Sequence, residues 1–257
     1  MPLSGIATLE SAAALQSRPA VGGVDETYPS QPRELVRDMV GASHGRIARV
    51  RELLAERPEL AKAAWDWGFG DWETALGAAS HTGQREIADL LISHGARPDL
   101  FTFAMLGQLD VVRACVTAQP GIQRLHGPHG ITLLKHALAG GDAAAAVATY
   151  LSELGDADNR YATEPLSTAD QDRLIGEYRH GPGPDDTFAI SRNRAEDLTI
   201  QRGAQGGRIN LFHTGKFTFH PAGAPRVAIR FDAANQGSAR WFVIEDGTPH
   251  VRAERMG

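Results

Sequence analysis

A chain of 257 residues is long enough for one large domain or two ordinary ones. With 42% hydrophobic and 22% charged residues, its composition is that of a folded globular protein and excludes a disordered chain. Residues 1–160 carry 14 Lys/Arg against 19 Asp/Glu and residues 161–257 carry 12 against 12, so the net charge of −5 sits entirely in the first part. Neither part offers a basic stripe, which argues against nucleic acid as a partner.

The N-terminal segment MPLSGIATLESAAALQS lacks the basic start and continuous apolar stretch of a secretory signal. Residues 1–32 are expected to form a partly disordered extension. No run approaches the ~18 apolar residues needed to cross a bilayer, so no membrane partner is expected. This places the chain in the cytoplasm by default, or in the periplasm if a leader has been removed. The single cysteine, Cys115, rules out an intrachain disulfide and a cysteine-rich metal site. It falls on the apolar face of a predicted helix, where a small thiol serves as core filler.

The next 126 residues, 33–158, contain an internal repeat. Residues 74–99 read TALGAASHTGQREIADLLISHGARPD. Thr74 can cap a first helix by accepting from a free backbone N–H. Ala78 and Ala79 are small where a neighbouring helix layer approaches, and Gly83 and Gly95 sit where the chain leaves a helix and favours positive φ. The frame recurs at 33–58, with His44-Gly45 between two helices and Leu53-Leu54 near the end. It returns in shortened form at 101–120, and again at 130–158 as GITLLKHALAGG with an alanine-rich second helix and Tyr150-Leu151 before LGDAD. Apolar positions three and four apart, such as Ile87, Leu90 and Leu91, mark the second helices. Together these features resemble the ankyrin family. The usual Thr-Pro-Leu-His opening is replaced by Thr-Ala-Leu-Gly at 74–77 and Thr-Leu-Leu-Lys at 132–135. The resemblance implies a helical solenoid of about four divergent repeats whose hairpin loops and inner helices bind partners.

Beyond LGDADNRYATEP the character changes. Ser167-Thr168-Ala169-Asp170 has the form of a capping box opening a short helix through Leu174. After Tyr178 alternation takes over: Val227, Ile229 and Phe231 face one way, Arg226, Ala228, Arg230 and Asp232 the other. Similar runs occur at 187–191, 198–202, 208–213, 216–220, 240–244 and 249–254, separated by turn signals. Six or seven antiparallel strands at this spacing predict a small barrel or curved sheet over 159–257. The fold class expected is therefore α+β, an ankyrin solenoid followed by an antiparallel β-barrel or curved-sheet domain. LIGEY at 174–178, LFHTGKFTFHPAG, VAIRFD and the closing strand ending at Arg255 also resemble an accessory module appended to beta-lactamase-like serine hydrolases. The hydrolase nucleophile is missing, since no Ser-x-x-Lys or Gly-x-Ser-x-Gly occurs. Phe217, Phe219, Phe231 and Trp241 read as core, and His213 and His220 as solvent-facing alternates.

The segment from 65 to 73 concentrates three of the four tryptophans and three acidic residues: Trp65, Asp66, Trp67, Phe69, Asp71, Trp72 and Glu73. In the repeat frame it is a hairpin loop, and such a loop on a rigid scaffold is a place for binding. The alternative is packing against the β domain. His81, Met105, His126, His129 and Lys135 join the expected binding face. His126 and His129 with a nearby aspartate are the start of a metal ligand set, but turn and cap histidines are the commoner outcome. No metal and no cofactor are expected, and His44 and His94 read as helix-end residues.

Two functions fit. The favoured one is an interaction protein that presents loop 65–73 to a protein or small-molecule ligand. The other is a metal-free isomerase, cyclase or hydrolase, with Asp66, Asp71, His81 and His129 as acid–base candidates in a cleft between the loops and the β domain.

Overall fold

In the computed structural model the described residues are 28–204, 206–233 and 237–257. The expectation of a disordered extension falls largely on residues 1–27, outside that set.

Eight helices follow one another in pairs: α1 (Arg33–Ala42) with α2 (Ile47–Glu56), α3 (Ala75–His81) with α4 (Arg85–Ser93), α5 (Leu100–Met105) with α6 (Leu109–Ala118), and α7 (Leu133–Ala139) with α8 (Ala145–Leu154). The first helices pack on one another in order, α1 on α3, α3 on α5, α5 on α7, while α2 packs on α4 and α6 on α8. The result is two layers built by translation. Ala75, Ala78 and Ala79 are fully buried in α3, because only a methyl fits where the layers close. The Thr74 side chain accepts from Gly77 N at 2.8 Å, and Asp99 caps α5 in the same way from Thr102 N. Gly83 and Gly95 take positive φ, 70° and 88°. At Gly83 a Cβ would also meet the Ala139 carbonyl oxygen at 2.2 Å. Cys115 is half-buried rather than enclosed, since only Val112 of its helix is fully covered.

Between the first two pairs a two-stranded hairpin projects, β1 (Ala64–Asp66) and β2 (Trp72–Thr74), with Trp65 opposite Glu73 and Asp66 opposite Trp72. Strand alternation then decides exposure: Trp72 is 64% exposed and Glu73 is buried.

The helix α9 (Thr168–Leu174) begins at the capping box, where Ser167 Oγ accepts from Asp170 N at 3.1 Å. Eight strands follow and close into a barrel: β3 (Gly176–Arg179), β4 (Thr187–Arg192), β5 (Leu198–Arg202), β6 (Arg208–Gly215), β7 (Thr218–Pro221), β8 (Ala228–Phe231), β9 (Trp241–Glu245) and β10 (His250–Arg255). Each strand pairs antiparallel with the next, and β10 closes on β3. The sequence pattern gives six or seven strands because β3 is short and abuts α9, with no turn residue to set it off. Closure removes the free edges that a curved sheet would leave.

Tyr178, Phe219, Phe231 and Phe242 fill the barrel as an edge-to-face cluster. Phe217 and Trp241, expected in the core, are only half-buried. His220, expected to face solvent, is 6% exposed and donates from Nδ1 to Pro221 O at 3.0 Å. His213 is half-buried, bonded through Nδ1 to Glu164 O. Arg255 bolts the barrel shut. Its guanidinium donates to Ala239 O, Ile175 O, Arg173 O and Tyr178 Oη, and lies over the Tyr178 ring.

Among the described residues no helix is long and apolar enough to cross a membrane.

Candidate metal centre

Four side chains from four places in the helical half meet at one point. His44 follows α1, His81 ends α3, Glu73 comes from β2 of the hairpin, and His129 from the turn before α7. One ligand atom from each lies within 4.8 Å of the other three. His81 Nε2 is 2.8 Å from Glu73 Oε1 and 3.2 Å from His44 Nε2. His129 Nε2 is 3.4 Å from Glu73 Oε1, and His44 Nε2 is 3.5 Å from Glu73 Oε2.

The far nitrogens show why these rings point inward. His44 Nδ1 donates to Val40 O at 3.1 Å, one helical turn back. His129 Nδ1 donates to Asp71 Oδ2 at 2.7 Å, and the His129 backbone N donates to Asp71 Oδ1 at 2.9 Å. Each bond fixes the tautomer and turns the Nε2 lone pair to the centre, the usual outer-shell arrangement for a metal-binding imidazole. Trp67 Nε1 donates to Glu73 Oε2 at 2.7 Å and orients the carboxylate.

Charge balance is the second point. Glu73 is wholly buried and Asp71 is 4% exposed, yet among the described residues their only ionic partners are histidines. Lone pairs on His44 and His129 face an anionic oxygen, which is repulsive unless positive charge sits between them. Burial opposes charge on His129, but hydrogen bonds to Asp71 and Glu73 and the charge of both outweigh it and hold its pKa near 9. Burial likewise opposes ionisation of Glu73, and bonds from His129 and His81 overcome it and bring its pKa to about 2. His44, mainly through burial, stays below its ordinary value. A proton on His129 or a cation among the four donors satisfies the same need. Three imidazoles and one carboxylate, without thiolate, suit a divalent first-row transition ion.

Local strain serves the site. His129 adopts φ 60° and Phe69 φ 59°, left-handed conformations that cost a non-glycine residue about 1 kcal/mol. From the barrel side, Gly223 presses against Asp71, so that a Cβ there would lie 2.3 Å from Oδ1. Deeper in, His136 is fully buried, donates from Nδ1 to Thr132 O at 3.0 Å, and leaves Nε2 without a partner. Burial lowers its pKa to about 4.

The centre opens on a cleft of about 830 Å³ between the helix pairs and the barrel. His44, Trp67 and His129 line one part, and Lys135, Tyr161, Arg208 and Phe212 line others. That is the size of a small-molecule site. A second cavity of about 490 Å³ lies where the hairpin meets the barrel, between Trp65, Phe69, Phe188 and Ile244.

Of the residues singled out in the sequence, Asp71, Glu73, His81 and His129 come together, with Trp67 beside them. Asp66 does not join; its Oδ1 accepts from Gly68 N in the hairpin turn. Trp65 packs on the helical core under Arg33, and Phe69 on the barrel core. Loop 65–73 thus packs against both halves through Trp65 and Phe69 and brings Glu73 into the cluster. Met105, expected on the binding face, is fully buried in the core cluster shared with α3 and α4, and its carbonyl oxygen accepts from Arg85. His126 stacks on Tyr161 and bonds to Asn159 O, away from the donors. Lys135 lies exposed on the cleft wall. His94 holds a helix end through Leu90 O, as expected.

His44 is the residue that sequence reasoning missed, by assigning it to a helix end. A signal was present. Ala42-Ser43-His44 recurs as Ala79-Ser80-His81, 37 residues on. The two serines bond alike, Ser43 Oγ to Met39 O and Ser80 Oγ to Leu76 O, so the rings that follow leave equivalent places on successive helices.

Comparison of the chain with protein-family models and with curated proteins finds no match.

Proposed function

We propose that this protein is a metal-dependent enzyme acting on a small molecule in the cleft between its helix pairs and its barrel. The observation that carries this reading is the convergence of His44, Glu73, His81 and His129 with two far nitrogens tied back and, among the described residues, no lysine or arginine paired with the buried carboxylates. The expectation of no metal set His126 and His129 with a nearby aspartate against ordinary turn and cap histidines; the joint geometry of His44, Glu73, His81 and His129 favours an ion. Bound there and open to the cleft, an ion would polarise a substrate oxygen or activate water. Within this reading the helix pairs are a divergent ankyrin-type array, supported by the repeated frame, the Thr74 cap and the two-layer stacking. The barrel, with its likeness to a hydrolase accessory module, serves as the opposite wall.

The test is metal content of the full-length chain. Zinc, manganese(II) or iron(II), each offered alone, is expected to bind at one ion per chain. A His44→Ala/His129→Ala double variant should lose about 100-fold or more in affinity. Circular dichroism checks that it folds, since both side chains are only about 30% exposed and neither fills the core. A folded double variant that binds the ion as tightly as wild type overturns the proposal.

A second reading, presentation of the hairpin to a protein partner, is favoured by one feature: Trp72 is 64% exposed at the hairpin.

A further inference from the structure

The cleft wall facing the metal centre carries charge of one sign. Lys135, Arg160 and Arg208 line it, against the single carboxylate of Asp158. Asp158 is already engaged: Arg160 donates to Oδ2 from Nε at 2.9 Å and lies at 2.7 Å through Nη2, and Thr132 Oγ1 donates to Oδ1 at 2.7 Å. Lys135 makes no ion pair among the described residues, and the only side-chain bond of Arg208 goes to neutral Gln201. Two cations without an ion pair among the described residues, the charge of Lys135 reaching only as far as Asp158, therefore face one cavity in a protein whose net charge is −5.

Tyr161 lines the same cavity. Its ring is clamped from both halves, stacked on His126 at 4.4 Å and packed against Phe212 at 5.6 Å and His220 at 4.8 Å. The ring also lies against Gly130, where a Cβ would be 2.5 Å from Cε2. A phenol held this firmly presents its hydroxyl in a fixed direction, and that hydroxyl has no hydrogen-bond partner among the described residues. Burial and the charge of Asp71 keep it protonated by raising its pKa, so it is a donor.

We propose that the substrate is a small organic dianion: one anionic group reaches the metal centre, and the other lies against Lys135 and Arg208 with Tyr161 donating beside it. This rests on the metal reading above and extends it to the ligand. Cations on a cleft wall attract an anion over a longer range than a hydrogen bond does, and wall and centre share one cavity of about 830 Å³, room enough for a ligand that touches both. The distal group is a carboxylate or a phosphate, which these residues bind by the same chemistry.

Calorimetry on the zinc-loaded full-length protein tests this. Succinate, glutarate and 3-phosphonopropionate are compared with butyrate, a monoanion that keeps the metal-binding carboxylate and lacks the second charge. At least one dianion is expected to bind about tenfold tighter than butyrate or better. That preference should collapse toward unity in Lys135→Gln/Arg208→Gln, while butyrate affinity and zinc stoichiometry hold. Both side chains are exposed, so the variant keeps its fold. The carboxylate and phosphonate arms tell which terminal group is preferred. Zinc-loaded protein that binds butyrate as tightly as every dianion overturns the proposal, as does a preference that survives in the variant. The metal reading fails separately. Protein that holds no zinc yet prefers succinate to neutral succinamide, in a way that depends on Lys135 and Arg208, keeps the cationic wall and removes the ion.

Discussion

The two halves of this protein bury different things. Of the ten buried polar or charged residues described, eight lie in the helical half, among them Asp71, Glu73, Ser80, Thr132 and His136, and only Thr199 and His220 lie in the barrel. The barrel interior is a closed aromatic cluster sealed by Arg255, whereas the helix pairs enclose carboxylates and imidazoles at the seam where the hairpin and the His129 turn arrive. Unpartnered buried polar groups are costly, so a scaffold that keeps so many has them either bonded or in use. Buried charge belongs to the helices and a largely apolar interior to the barrel.

The sharpest way to break that contrast is at Arg255. Truncation in Arg255→Ala removes one donor from each of three carbonyl oxygens and from the Tyr178 hydroxyl, at a cost of roughly 3 kcal/mol. Chemical denaturation should show that loss, while metal affinity of the folded protein stays at the wild-type value. A loss of metal binding in folded Arg255→Ala would show that the halves are not so divided.

Next comes acidity. His136 has a folded pKa near 4 against an ordinary 6.5, so the unfolded chain takes up the proton first as pH falls. Stability from this group is complete above about pH 6.5 and declines as pH drops toward 4, by roughly 3 kcal/mol. His136→Leu should flatten the slope of unfolding free energy in that window. An unchanged slope would place the acid sensitivity elsewhere.

Asp71→Asn comes third. It keeps the shape that holds the His129 backbone and removes the charge that orients its ring. A loss of about 10–100-fold in metal affinity is expected, with little change in melting temperature, read by competition against a chromophoric chelator. Smallest is Trp72→Ala: with the side chain 64% exposed, stability should move within about 0.5 kcal/mol. A larger drop would mean that the hairpin depends on it.

What the sequence made legible follows from range. The helix pairs, their caps at Thr74 and Ser167 and the strands from Thr187 onward are local patterns of period and capping, and the structure places them within a few residues. The barrel's closure is not local. It depends on β3, whose four residues carry too little alternation to register beside α9. Half of the site was legible in the same sense. The shared edge of stacked turns brought His129 to Asp71, 58 residues away, as the repeat frame implies. The burial of Glu73 was not, because it depends on which face of a three-residue strand turns inward. Met105 failed for the opposite reason: its place in the frame looked like a binding face, but it is buried in the core shared with α3 and α4.

The recurrence of Ala-Ser-His on α1 and α3 carries a last implication. In a stacked array a side chain repeated in register becomes a column whose rungs are one helix layer apart, about 8–10 Å between axes. Two of the four donors are thus one local instruction read twice, and the bite between them is set by layer thickness and the reach of an imidazole. Only Glu73 and His129 have to be delivered from outside the column, and each rides on a turn that the stack already projects to the same side. A convergence of this kind asks little of the chain beyond repetition, one short strand and one well-aimed turn.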